Sequence, residues 1–442
     1  MRQNRSPKVV TAEEAVEAIR DHDDVVLSNF CSEPIQLPMA LMNRARELKG
    51  VRLYHMAIHG PFQEKYLEEG MEQHVRCVTT LSGRSKAVRQ LIAEGRADFY
   101  SVTFYGVPHM LREGDFKSDV FMLTCTPPDD YGFCNLGINV DYAWGALERP
   151  PRVIMAEFNP HMPRTQGRTS LHVSQIDYVV EVNEPMFELQ QFPITDVETR
   201  VGEHVASLVE DGSTLQIGYG GLSEACVYFL KEKKNLGMHS EMVPEGIREL
   251  LNEGVVTNDK KSIHKGKIAC SFNGGTKALY DWLDNNPIIE MHPVDYINDP
   301  KVIAQNSKMV AINAALQVDL FGNIYADVLG LQDQYSGAGG QLDFAIGCSI
   351  APDAKFVNVL PASSGSGKIS RIVAHPSIET NNEMASQIAT VPRYYADYVV
   401  TEFGIARLKG RSNQDRARAL INIAHPDHRG HLETQAKKLG LL

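Results

Sequence analysis

No two of the seven cysteines stand at CxxC spacing. An odd, scattered set excludes a disulfide framework and a zinc ribbon, and it fits a reducing compartment. The N-terminal MRQNRSPKVVTAEEAVEAIR lacks the apolar core of a signal peptide, and nothing approaches the roughly 18 consecutive apolar residues of a membrane span. A cytoplasmic protein with no membrane partner is expected. Basic excess is missing too: the net charge is −11. Nucleic acid is therefore not expected as a partner, because neutralising phosphates needs a basic surface. One local cationic site for an anionic small molecule remains compatible with that total. GxSxG is absent, which removes the hydrolase nucleophile elbow. His55 and His59 lie four apart in a strand-end segment without a third ligand, so no metal site is expected. Cys31 and Cys226 read as packed small side chains.

What is present fits a globular chain: 43% hydrophobic and 22% charged over 442 residues, enough for two or three domains of roughly 100–200 residues. The chain also repeats itself. EEAVEAIRDHDDVVLSNF and GEHVASLVEDGSTLQIGY both read as amphipathic helix, Asp-containing turn and apolar strand, with the strands at 25–30 and 214–219 offset by 189 residues. A helix follows each, then a segment reaching a His: VRLYHMAIHG and NLGMHSEMVPEG. Later, TPPDDYGFCNLGINVDY echoes QVDLFGNIYADVLG, with Gly132 and Gly322 190 residues apart. Alternating strands and helices predict two similar open α/β domains with mainly parallel sheets. They are expected over 1–190 and 191–442, divided within 187–194.

The halves differ at one informative point. With His55 matched to His239, Ala57 stands where the second half has Glu241. A structural residue would be wanted in both copies; a catalytic one is wanted in one. Glu241 also sits between an apolar run and the helix PEGIRELLNEG, where open parallel sheets bind ligands. Capping that helix, or meeting its dipole, is the structural alternative.

Three glycine loops follow the same logic. Gln216, Ile217, Gly218, Tyr219 and Gly220 connect a strand to a helix, where a bare backbone can approach an anion or simply turn. Ser336-Gly337-Ala338-Gly339-Gly340 offers either an oxyanion-holding backbone or a surface turn. The third, Ser363-Ser364-Gly365-Ser366-Gly367-Lys368, is expected either to form a flexible hairpin or to bring Lys368 to a nucleotide phosphate; the spacing is not that of a Walker motif.

Taken together, HSEMVPEG, GAGGQLDF, TEFGIARLKGRS and ALINIAHPDHR resemble the acetyl-CoA hydrolase/transferase family of class I coenzyme A transferases. The similar branch holds 4-hydroxybutyrate, butyrate and itaconate CoA-transferases, and the resemblance spans nearly the whole chain. It implies two related α/β domains with the active site at their interface, and Glu241 as the catalytic carboxylate. It implies coenzyme A contacts at Gln216, Ile217, Gly218, Tyr219 and Gly220, an oxyanion site at Gly340, and Asn298 of DYINDP in the same site. Ser336, Gly339, Leu316 and Lys368 complete the candidate coenzyme A contacts, and Glu402 of TEFG matches a family position near the catalytic Glu. Tyr219 departs from the family by its bulk, which bears on acyl-pocket size.

The expected chemistry is ping-pong transfer of coenzyme A between short-chain acids through a glutamyl-CoA thioester, with acyl-CoA and a carboxylate as partners and no permanent cofactor. A homodimer is the family expectation. A hydrolase using the same Glu, and a non-catalytic effector-sensing module, are the competing readings. On repeat geometry, Ser28, Asn29, Phe30, Cys31, Met56, Ala57, Ile58 and His59 are candidate acyl-pocket walls.

Overall fold

The computed structural model describes residues 6–83, 85–190, 193–218, 220–330, 333–376 and 388–442. The chain forms two compact units. The first contains Met1–Gln190, Ala269–Ile297 and Gln334–Gly339; the second contains Gln191–Ile268, Asn298–Asp333 and Gly340–Leu442. The boundary expected near residue 190 is thus joined by two later returns to the first unit. Backbone bonds hold the first return, from Val140 N–H to Ser271 O (3.0 Å) and from Asn273 N–H to Ile138 O (2.7 Å). The Ser82 hydroxyl donates to Gln334 O (3.0 Å) in the second.

In the first unit, β1 (Lys8–Val9), β2 (Asp24–Leu27), β3 (Val51–Tyr54), β4 (Val75–Thr79), β5 (Asp98–Phe99), β6 (Val120–Cys125), β7 (Val153–Phe158) and β8 (Tyr178–Glu181) form one sheet in the order β1-β8-β7-β6-β2-β3-β4-β5. Every pairing is parallel. VFMLTC of β6 and VIMAEF of β7 are buried throughout, as strands covered on both faces must be. Helix α1 (Ala12–Val16) opens with a capping box between Thr11 and Glu14. At the start of α2 (Gln36–Asn43), the Glu157 carboxylate accepts from the N–H groups of Ile35 (3.0 Å) and Leu37 (2.7 Å).

The second sheet comprises β9 (Thr214–Ile217), β10 (Gly237–Met238), β11 (Met309–Ala314), β12 (Lys355–Val359), β13 (Tyr398–Thr401) and β14 (Gly404–Arg407). Its order is β10-β9-β11-β12-β13-β14, parallel except for the last pair. The run β10-β9-β11-β12-β13 repeats β3-β2-β6-β7-β8 of the first sheet. Details repeat as well. Helix α3 (Asp196–Leu208) has its own capping box, Thr195 with Glu198. Asp21 Oδ1 accepts Lys49 N–H at 2.9 Å, and Asp211 Oδ1 accepts Lys234 N–H at 2.9 Å. Asp129 and Asp319 build the same turn: each carbonyl accepts the N–H of Gly132 or Gly322, and both glycines have positive φ. The mainly parallel α/β duplication expected from the sequence is present.

Among the carboxyls buried in the first unit are Glu33, Asp141 and Glu157. Burial pushes Glu33 up to about 8, Glu157 to about 7 and Asp141 to about 6. Burial pushes His55 the other way, to about 3. A carboxyl with a raised pKa keeps a proton in the folded state that the unfolded chain has released, so its contribution falls as pH rises. His55 opposes this only below its ordinary value of 6.5. Stability should therefore decline between pH 6.5 and about 8. Urea unfolding across that range should show a falling midpoint, and Glu33→Gln should flatten the slope; an unchanged slope would mean Glu33 is ionised in the fold.

Candidate active site

Glu241 is presented by a strand of two residues. In β10, Met238 N–H donates to Asn258 Oδ1 (2.9 Å), and Lys261 Nζ donates to Met238 O (2.6 Å) and Lys267 O (2.7 Å). Lys261 is almost wholly buried, so these carbonyls take the place of water around its ammonium. The Ser240 hydroxyl lies 3.2 Å from Ile217 N and 3.3 Å from Ile217 O, and His239 N–H donates to Leu215 O (2.9 Å). These bonds pin the segment to the carboxyl end of β9.

Strand register supports the match made on the two histidines. Val25 pairs with Leu53, and Thr214 pairs with Gly237. Two sheets superposed on those pairs bring Ala57 to the place of Glu241. Helix α4 (Glu245–Asn252) has Pro244 at its N-cap and Glu245 in its first turn. Glu241 thus lies outside the helix it was alternatively expected to cap.

Asn298 reaches Glu241 from another element. Asp299 caps α5 (Pro300–Ile303) through Lys301 N–H (2.8 Å), with Pro300 in its first turn, where its missing N–H costs nothing. The NDP sequence therefore fixes Asn298 just ahead of a helix. Its fully buried side chain donates from Nδ2 to Glu241 Oε1 (2.8 Å) and to Asp343 Oδ2 (3.2 Å). Asn298 Oδ1 is buried without a hydrogen-bond partner.

Gly340 closes the group as N-cap of α6 (Gln341–Ile350). A Cβ there would stand 2.1 Å from Asn298 Nδ2 and 2.3 Å from Glu241 Oε1. Only a residue without a side chain lets the helix start this near the carboxylate. Gln341 Nε2 donates to Asn358 Oδ1 (2.7 Å) and Ala314 O (3.3 Å), which ties α6 to the ends of β12 and β11. Beside them, Gln216 and Asn313 exchange amide hydrogen bonds of 3.2 and 2.8 Å.

Glu241, Asn298 and Gly340 are thus brought together within the second unit. The other expected residues have separate surroundings. Gln216 and Ile217 are fully buried, and Gly218 packs 2.7 Å (as a built Cβ) from Asn313 Oδ1. Gly220 follows with a φ of 135°, and Tyr219 lies outside the described residues. Leu316 bonds through its backbone to Tyr325 and Arg371. Lys368 is exposed on the hairpin between Ser363–Ser364 and Ile369–Ser370. Glu402 Oε2 accepts Ala362 N–H (2.8 Å). Ser336 and Gly339 belong to the first unit, where Gly339 O accepts Phe104 N–H (2.9 Å). His55 faces Tyr66 and Cys77, and His59 stacks on Phe187.

Asp343, Asn358, Asn313 and Lys261 were not anticipated as parts of this region. Asp343 stands within GAGGQLDF and had a signal there, as a buried-helix Asp on an otherwise apolar stretch. The amides have none, because their partners lie 17 to 97 positions away, and the lysine has none, because its partners are backbone carbonyls that no residue pattern marks.

Family models for the acetyl-CoA hydrolase/transferase N-terminal and C-terminal domains match residues 1–188 and 275–436. The chain belongs to the acetyl-CoA hydrolase/transferase family. It is an enzyme, similar in sequence to the 4-hydroxybutyrate coenzyme A transferase of Clostridium kluyveri, with 43% identity covering 98% of this chain and 97% of that one. It is 37% identical to the succinyl-CoA:cyclohexane-1-carboxylate CoA transferase of Geobacter metallireducens, covering 98% and 95%. The crystal structure of RipA from Yersinia pestis matches with a TM-score of 0.90 and 33% identity over 98% of both chains.

In this family member, Gly340→Ala gives a sharp test of the cluster. The φ of −98° at Gly340 is open to alanine, yet its methyl must displace Glu241 or Asn298. Thermal unfolding should shift by only a few degrees, while coenzyme A transfer should fall by roughly 100-fold or more, as when catalytic groups are misplaced by about 1 Å. Retained transfer would mean that the close approach of Gly340 to Glu241 and Asn298 has no part in it.

Proposed function

We propose that this enzyme transfers coenzyme A between short-chain carboxylic acids through a covalent intermediate on Glu241. The observation that carries the reading is the half-buried Glu241 carboxylate held by Asn298 against the start of a helix at Gly340. The acids named for its relatives, 4-hydroxybutyrate, cyclohexane-1-carboxylate, succinate, butyrate and acetate, support short-chain acids of the 4-hydroxybutyrate, butyrate/acetate or itaconate/succinate type as the proposed substrates.

The chemistry divides a slow exchange into balanced steps. Glu241 carboxylate attacks the thioester carbonyl of the donor. The tetrahedral oxyanion is met by backbone N–H at Gly340 and by Asn298. Collapse breaks the C–S bond, leaving an acyl-glutamyl anhydride and coenzyme A thiolate. The thiolate attacks the glutamyl carbonyl, releasing the donor acid and leaving a glutamyl-CoA thioester. The acceptor carboxylate attacks that thioester, and the same steps in reverse release the new acyl-CoA and restore Glu241. Gln216, Ile217, Gly218, Tyr219, Gly220, Leu316, Ser336, Gly339 and Lys368 are the proposed contacts for coenzyme A. Binding energy from its nucleotide and pantetheine arms lowers the barrier at the thioester. The reading includes a cytoplasmic homodimer; seven buried free thiols support a reducing compartment.

Incubation with a panel of short-chain acyl-CoAs, trapping with hydroxylamine or borohydride, and mapping by mass spectrometry tests this reading. Modification at Glu241, absent in Glu241→Ala, is expected, with coenzyme A exchange that depends on added carboxylate. An unmodified Glu241 in protein that binds coenzyme A would overturn the covalent route. Thiol release without a carboxylate acceptor would assign a hydrolase instead.

A further inference from the structure

Asp343 has no role in the steps above, yet it shares a hydrogen-bond donor with the proposed nucleophile. Resting on the reading of Glu241 as that nucleophile, we propose that Asp343 is a positioning residue that sets the orientation of the Asn298 amide and, through it, of Glu241. Asn298 Nδ2 carries two N–H groups and is placed between two carboxylates, 2.8 Å from Glu241 Oε1 and 3.2 Å from Asp343 Oδ2. The alternative orientation, rotated by half a turn, would turn Oδ1 toward both negative groups. An amide oxygen set against two acceptor oxygens finds no donor there, so a second acceptor oxygen enforces the donor-first orientation.

The cost of that orientation is visible. Oδ1 of Asn298 is buried with no hydrogen-bond partner. A buried orphan acceptor is unfavourable, yet the rotated amide would set Oδ1 against two acceptors and take Nδ2 away from both. Asp343 is itself almost wholly buried in the first turn of α6, two residues after the Gln341 anchor and three after Gly340. The element that brings Gly340 against Glu241 therefore also carries the group that orients Asn298. A carboxylate in the first turn of a helix also stabilises that helix. The test has to separate the two roles.

Transfer rates of wild type, Asp343→Ala, Asp343→Asn, Asn298→Ala and the Asp343→Ala/Asn298→Ala double variant would be measured with the preferred acyl-CoA, beside Glu241→Ala. Asp343→Ala should lower kcat by ~10–100-fold with little change in KM for acyl-CoA, the size of effect a small misplacement produces. Asp343→Asn keeps an acceptor oxygen in place and loses the charge that serves the helix, so it should recover most of the rate. The double variant should be no slower than Asn298→Ala alone, because a residue acting through another has nothing left to act on. Losses that multiply, or equal losses in the Asn and Ala variants, would overturn the inference and leave a helix-stabilising role. Should Asp343→Ala fail to fold, the Asn variant in the wild-type and Asn298→Ala backgrounds decides the same question. A fully active Glu241→Ala would instead overturn the glutamyl reading and this one with it.

Discussion

The constraint behind the candidate site is that a strand of two residues cannot hold Glu241 in place by its own ladder. Gly237 and Met238 make few pairings with β9, so the position of Glu241 depends on side chains brought from elsewhere. Lys261 is the costly part of that support. A buried ammonium forfeits its hydration, and bonds to Met238 O and Lys267 O must offset the loss. The absence of a side chain at Gly237 is part of the same arrangement: a Cβ there would stand 2.4 Å from Lys261 Cγ. Backbone, lysine stem and Asn258 form one packed unit, and Glu241 projects from its end.

The two sheets show what a duplicated scaffold can vary. Register matches Glu157 of β7 to Asn358 of β12, since Val25 and Val120 correspond to Thr214 and Met309. Both positions are buried and polar, and both tie a helix start to the sheet. In the first unit, a carboxylate accepts two backbone N–H groups ahead of α2. In the second, an amide accepts from Gln341 and holds α6. At that matched position the second unit has an amide where the first has an acid, while Gln216 and Asn313, matched by register to Leu27 and Thr124, add two more amides at strand ends. Glu33 and Glu157 of the first unit are driven toward their protonated forms by burial.

Much of this was legible in the sequence, for reasons that can be named. The capping boxes at Thr11 and Thr195 and the Asp turns at Asp129 and Asp319 use short-range patterns, and short-range patterns survive in a linear string. So did the difference between Ala57 and Glu241, because the two histidines kept the frame. The returns of 269–297 and 334–339 to the first unit were not legible, since they depend on backbone bonds to residues over 100 positions away. The amide network was hidden for the same reason: Gln216, Asn313, Gln341 and Asn358 fall on strands and a helix that only the sheet order makes neighbours.

Asn298 shows how these constraints meet in one side chain. Leaving a buried acceptor unpaired costs about 1–3 kcal/mol, a sizeable part of the net stability of a domain. Rotating the amide would bring Oδ1 no donor, because the face now filled by Nδ2 is bounded by the carboxyl oxygens of Glu241 and Asp343. Rotation is blocked because the donor face is held by two carboxylates from two elements, one at the end of β10 and one in the first turn of α6. The unpaired oxygen is therefore the mark of an orientation imposed from outside the residue. On the proposed reading of Glu241 as nucleophile, that orientation directs hydrogen-bond donors at the carboxylate where negative charge would move during acyl transfer, which is where fixed dipoles serve chemistry more than stability.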